Sequence, residues 1–134
     1  MTATITEVSP QTVATARRAL ALIASEQRLI GYAEFGDLLT ALGVEGVPPR
    51  EHYSLRSRYL GHVLGAVGLE NGRRGEPLLT AIVRHVVNGK LAEVNPKGYA
   101  WPVEQVYGLE LSSNSAVAHS HREAERCHAH QWVL

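Results

Sequence analysis

The chain has 134 residues, 45% of them hydrophobic and 19% charged, which excludes the charge-rich, apolar-poor composition of a disordered segment. Thirteen basic residues balance thirteen acidic ones, so no overall field selects a polyanion, and a single cysteine excludes an internal disulfide. The length fits one domain over 1–134, and no apolar run approaches the roughly eighteen residues of a membrane span, so a soluble, cytoplasmic protein with no membrane partner is expected.

Residues 1–8 read as a flexible start. Ser9 and Pro10 then read as a helix cap and first helical residue, and Val13, Ala16, Leu20 and Ile23 recur at helical spacing. Leu29 to Tyr32 is a short extended entry to a second helix, which turns Phe35, Leu38, Leu39 and Leu42 inward and stops at Gly43 in a left-handed cap. The glycines and prolines of "VEGVPPREHY" predict a loop, after which Ser54 caps a third helix that ends near Asn71 and Gly72. The run "PLLTAIVRHVV", the Asn88-Gly89 turn and "KLAEV" predict a two-stranded hairpin. "YAWPVEQVYGL" fits more than one state, and 112–134 reads as a C-terminal helix docked through Trp132. The fold class is therefore α+β, mainly helical: a winged-helix-like three-helix core with a two-stranded hairpin and a C-terminal helix.

The strings "IGYAEFGDLLTALG", "YLGHVLGAV" and "GEPLLTAIVRHVVNGK" resemble a group of small bacterial and phage domains, some of them attached to nuclease domains. The resemblance covers roughly 13 to 101, and "AERCHAHQW" is similar to the charged helix ending in tryptophan that closes those domains. There is a fainter similarity to the DNA-binding domain of alkylguanine-DNA alkyltransferases. Those enzymes carry a reactive cysteine just before the corresponding strand, where this chain has Ala81, Ile82 and Val83, so alkyl transfer does not follow. What the resemblance implies is a winged-helix module associated with duplex DNA, of bacterial or phage origin, acting as a regulator or as a defence or counter-defence accessory.

Between Arg50 and Lys97 eight basic residues face four acidic ones, Glu51, Glu70, Glu76 and Glu93. In a helix-turn-helix the second helix enters the major groove by its N-terminal residues, which nominates Arg50, Arg56, Ser57 and Arg58 for DNA. Arg84, Lys90 and Lys97 would lie along the hairpin and its exit, on phosphate. The same helix carries Ser57, Gly61, Gly65 and Gly68 along one side. Each interior glycine costs about 1 kcal/mol against alanine, so a close approach is expected there, by the first or C-terminal helix or by a partner. Zero net charge suits a protein-interaction module or homodimer on the same scaffold.

The segment "SHREAERCHAHQW" holds three of the seven histidines and the cysteine. His121, Glu125 and His128, at i, i+4 and i+7, can point at one zinc ion with Cys127 beside them. Against a zinc protein stands the lack of a second ligand cluster across a loop, and the favoured reading is metal-free: His121 and His128 flank the buried stripe beside Trp132, while His119, Glu123, Arg126 and His130 form a solvated face. No nucleophile motif surrounds Ser54, Ser57 or Ser112 and no phosphate loop is present, so a non-catalytic protein is expected.

Overall fold

The computed structural model describes residues 8–134. All of the expected flexible start except Val8 lies outside the described residues.

Helix α1 (Pro10–Ser25) starts as its sequence dictates: the Ser9 hydroxyl accepts a 3.1 Å hydrogen bond from the Thr12 amide. Strand β1 (Ile30–Gly31) leads directly into α2 (Tyr32–Ala41), which ends before Gly43 at φ 88°. Phe35 and Leu39 are fully buried, but Leu42, expected to point inward, is half exposed because it lies beyond the last turn that faces the core. Helix α3 (Tyr53–Arg74) begins one residue before the expected cap, after His52, and runs past Gly72 to a left-handed Gly75.

The predicted long strand is mostly something else. Leu79–Ile82 forms a 3-10 turn, and the extended part is split in two, of which Val83–Arg84 (β2) pairs in parallel with β1 so that Ile30 faces Val83 and Gly31 faces Arg84. Every residue from Leu78 to Arg84 is buried. An apolar run enclosed on all sides fills a core in whatever backbone state the neighbours permit, and periodicity cannot tell these states apart. The hairpin itself is β3 (Val86–Val87) against β4 (Lys90–Leu91), turned by Asn88 and Gly89 at φ 52° and 76°. Its ladder continues inward, with the His85 amide donating to the Glu93 carbonyl at 2.9 Å and the Ala92 amide donating to the His85 carbonyl at 2.7 Å.

The ambiguous segment is helix α4 (Pro96–Tyr107), capped by Asn95 and closed by Gly108. It answers the glycine question. A β-carbon on Gly65 would lie 3.3 Å from Trp101, and one on Gly68 or Gly72 would lie 2.8 Å from Pro102 or Val106. The close neighbour of α3 is thus α4, not the first or the C-terminal helix, and Gly61, one turn beyond, meets nothing within 4 Å.

Helix α5 (Ser113–Ala129), capped by Ser112, closes the chain. Its buried side is Ala116, Ser120, Glu123, Ala124 and Cys127, so the face expected to be solvated is partly an inner one. Glu123 is 2% exposed and accepts hydrogen bonds from the Leu78 amide (2.8 Å), the Tyr107 hydroxyl (2.6 Å) and Arg126 (2.8 Å). Those donors offset the cost of taking a carboxylate out of water. A second buried polar cluster ties the other end of the molecule: Arg17 pairs with Glu76, Asn71 donates to Glu76 at 2.9 Å and accepts from the Leu79 amide at 2.9 Å. Arg17 also donates to the Val133 carbonyl at 2.8 Å, fastening the C-terminus to α1. Among the described residues no helix is long and apolar enough to cross a membrane.

Candidate interaction site

The first turn of α3, the first turn of α2 and the base of the hairpin meet around a cavity of about 150 Å³. Its walls include Tyr32, Arg50, Tyr53, Arg56, Ser57 and His85, with no carboxylate among the lining side chains. Tyr32 and His85 lean on each other with ring centroids 5.0 Å apart. Burial pushes the Tyr32 phenol up to about 12, against a backbone hydrogen bond at Asn95 that pulls it down, so its hydroxyl stays protonated.

Arg56 is the keystone of this corner. It is 7% exposed, donating to the Pro48 carbonyl at 3.0 Å, the Ala33 carbonyl at 2.8 Å and Asp37 at 2.8 Å. Gly36 makes room for it, since a β-carbon there would lie 2.6 Å from the guanidinium carbon. Its Nε has no hydrogen-bond partner. Asp37 also receives Arg50, and the hydrogen bond from Arg50, ahead of opposing burial and a second bond from Arg56, holds its carboxyl below the usual value.

The residues nominated for DNA are therefore divided by the fold. Arg56 and Arg84 are inside: Arg84 is 4% exposed and spends its donors on the Ala81 carbonyl (2.8 Å) and the Ala92 carbonyl (3.3 Å). Burial lowers the Arg84 pKa, against the charge of Glu93. Each arginine ties two backbone carbonyls from different segments together, Ala33 with Pro48 and Ala81 with Ala92, a role that needs the fork of donors arginine carries. Arg50 is exposed but paired with Asp37, and Ser57 is half-buried on the cavity wall. Arg58, Lys90 and Lys97 are exposed and have no ion-pair partner among the described residues. Of the seven residues nominated for DNA, these three are thus the exposed cations without an acidic partner among the described residues.

Apolar side chains are exposed in the first turn of α3 and on the hairpin, and the charge-based reading missed them. Tyr53 is 70% exposed and Leu55 55%, while Val86, Val87 and Leu91 of the hairpin are 56%, 55% and 44% exposed. Val86 and Leu91 fold onto Gly31, where a β-carbon would lie 2.9 Å from the Val86 methyl. The signal was present in "VVNGKL": two valines and a leucine in a four-residue ladder leave no polar side chain but Lys90 to cover it.

The histidine helix is dispersed. His121 meets Glu93 at 2.9 Å on the surface, Glu125 is exposed, and His128 faces the Arg28 carbonyl at 3.0 Å. His119 turns inward, its Nδ1 2.6 Å from the Tyr99 hydroxyl. Cys127 is buried with its thiol 3.3 Å from the Leu78 carbonyl, and burial first, then the charge of Glu123, pushes the thiol pKa up. Among the described residues no three histidine, cysteine or acidic side chains come together in a way that would hold a metal ion. Compared with known proteins, the chain matches no family model, and no curated protein and no solved structure is similar enough to register.

Proposed function

We propose that this chain is a non-catalytic protein-interaction module on a winged-helix-like scaffold, which binds another protein through the β3–β4 hairpin and the start of α3. The observation that carries the reading is the exposed Tyr53 on the wall of a cavity with aromatic sides, together with the exposed Val86, Val87 and Leu91 of the hairpin whose base, at His85, lines the same cavity. Interfaces are enriched in aromatic residues and arginine around pockets, and this corner, lined by Tyr32, Tyr53, Arg50 and Arg56, has that composition. Zero net charge points the same way, because it supplies no general attraction for a polyanion. The resemblance to small bacterial and phage domains suggests a regulator or a defence or counter-defence accessory as the setting.

Duplex DNA is the second reading, favoured by the unpaired Arg58, Lys90 and Lys97. Fluorescence anisotropy on duplexes at about 50 mM salt separates the two, since non-specific electrostatic binding is strongest at low salt. The interaction reading expects no retention of DNA, and capture from host lysate of one identified protein that Val87→Asp releases. Binding of DNA that weakens on Lys90→Ala, with capture indifferent to Val87→Asp, would replace it.

A further inference from the structure

We propose that the cavity between α2, α3 and the hairpin is an anchor pocket for a single carboxylate-bearing side chain, an aspartate or glutamate of the protein partner; this inference rests on the interaction reading above. The volume decides the class of ligand. At about 150 Å³ the space is below the ~300–1,000 Å³ of pockets that enclose drug-sized molecules. It suits one side chain and excludes a nucleotide or a comparable metabolite. The charge decides the chemistry. Two guanidinium groups, Arg50 and Arg56, stand at the wall and share one carboxylate, Asp37, which is not itself among the lining residues, so the charged groups facing the cavity are cationic.

Ser57 and His85 add hydrogen-bonding groups, and Tyr32 and Tyr53 supply apolar walls that fit the methylene stem of an acidic side chain. Arg56 is already fixed by two carbonyls and Asp37, so it acts from behind as a fixed charge. Arg50, exposed and tied only to Asp37, is the group that can exchange that pair for a paired hydrogen bond with the arriving carboxylate, Asp37 keeping Arg56. The exposed Tyr53 on the wall and the exposed apolar hairpin that follows His85 favour a protein side chain over the hydrated backbone of a nucleic acid.

The test is an amide NMR titration of the full chain at constant ionic strength with N-acetylglutamate, N-acetylglutamine and inorganic phosphate as probes. The expected result is saturable shifts at Ala33, Ser57 and His85 with N-acetylglutamate, at least about tenfold weaker with the neutral amide and about tenfold weaker in Arg50→Gln, a factor of ten being 1.4 kcal/mol. Ser57→Leu, which fills the wall without touching the Asp37 pair, is expected to abolish the shifts in a chain of unchanged spectrum elsewhere. Equal response to the amide, an absence of saturable shifts, or phosphate binding as well as N-acetylglutamate at the same residues would overturn the proposal. The titration is independent of any partner, so its failure leaves the hairpin reading to stand or fall on Val87→Asp.

Discussion

Gly68 of α3 lies so close to Pro102 of α4 that a β-carbon on it would sit 2.8 Å from the proline Cβ. Gly61, two turns earlier on the same helix, faces open space. Alanine in place of a helical glycine gains about 1 kcal/mol of propensity, while overpacking a close contact costs about 1–3 kcal/mol. Gly61→Ala is therefore expected to raise the unfolding free energy by about 0.5–1 kcal/mol. Gly68→Ala is expected to lower it, because the proline ring is not the free end of a flexible chain and α4 must move. Urea denaturation of both variants checks the pair; two changes of the same sign would contradict the packing described.

That glycines mark a close approach was legible in the sequence; which helix approaches was not. "YAWPVEQVYGL" carries a proline inside the helix at Pro102 and three aromatic residues, so local preference leaves its state open, and only the fit of Trp101, Pro102 and Val106 onto the glycines selects a helix. The caps at Ser9 and Ser112 were legible because their hydrogen bonds are local, whereas α3 starts after His52 with no side-chain cap in place of the expected Ser54. Charged residues were not. Glu123, Arg56 and Arg84 read as solvated or ligand-facing, yet each is buried by partners that are far away in sequence or on backbone carbonyls, which a helical wheel does not see.

Arg56 and Arg58 separate a scaffold role from a surface one. Arg56→Met removes bonds to two carbonyls and leaves Asp37 with Arg50 alone, and each buried acceptor left unsatisfied costs about 1–3 kcal/mol. A loss of about 3 kcal/mol is expected by chemical denaturation. Arg58→Ala, at an exposed site with no ion pair among the described residues, is expected within about 0.5 kcal/mol of wild type. A neutral Arg56→Met would show that the guanidinium does not hold the α2–α3 corner.

Stability falls with acid in two windows. Burial, reinforced by the charges of Arg122 and Arg126 and opposed by Glu123, lowers the His119 pKa below 6.5, so its neutral form is favoured in the fold. With the folded value below the unfolded one, the stabilisation is complete above about 6.5 and is lost as pH falls through the folded value. For Glu76, burial acts upward but is outweighed by hydrogen bonds from Arg17 and Asn71 and the charge of Arg17, so its carboxyl lies below 4.5. Its contribution is present above 4.5 and lost as pH falls further. Thermal midpoints from pH 8 to 3 are expected to drop first below about 6.5, and His119→Gln is expected to flatten that first drop while leaving the second. An unchanged upper limb in His119→Gln would assign it to another group.

Trp132 fastens the last residues beyond α5. It is half-buried, its indole nitrogen donates to the Cys127 carbonyl at 2.9 Å, and the Arg17 guanidinium lies 6.0 Å from the ring centroid. Fully buried tryptophans cost about 3–5 kcal/mol on truncation; with one side open, Trp132→Ala is expected to cost about 2–3 kcal/mol. Trp132→Phe keeps most of the apolar area but not the donor, and is expected to lose about 1 kcal/mol, the net worth of one hydrogen bond. Because Arg17 also binds the Val133 carbonyl and Glu76, release of the tail by Trp132→Ala exposes one side of a buried ion pair. Hydrogen exchange is therefore expected to rise at Arg17 and Glu76 as well as at the C-terminus in the alanine variant, and at the C-terminus alone in the phenylalanine one. If both variants are within about 0.5 kcal/mol of wild type by urea denaturation, the tail does not anchor the buried cluster and Arg17 is held by Glu76 without it.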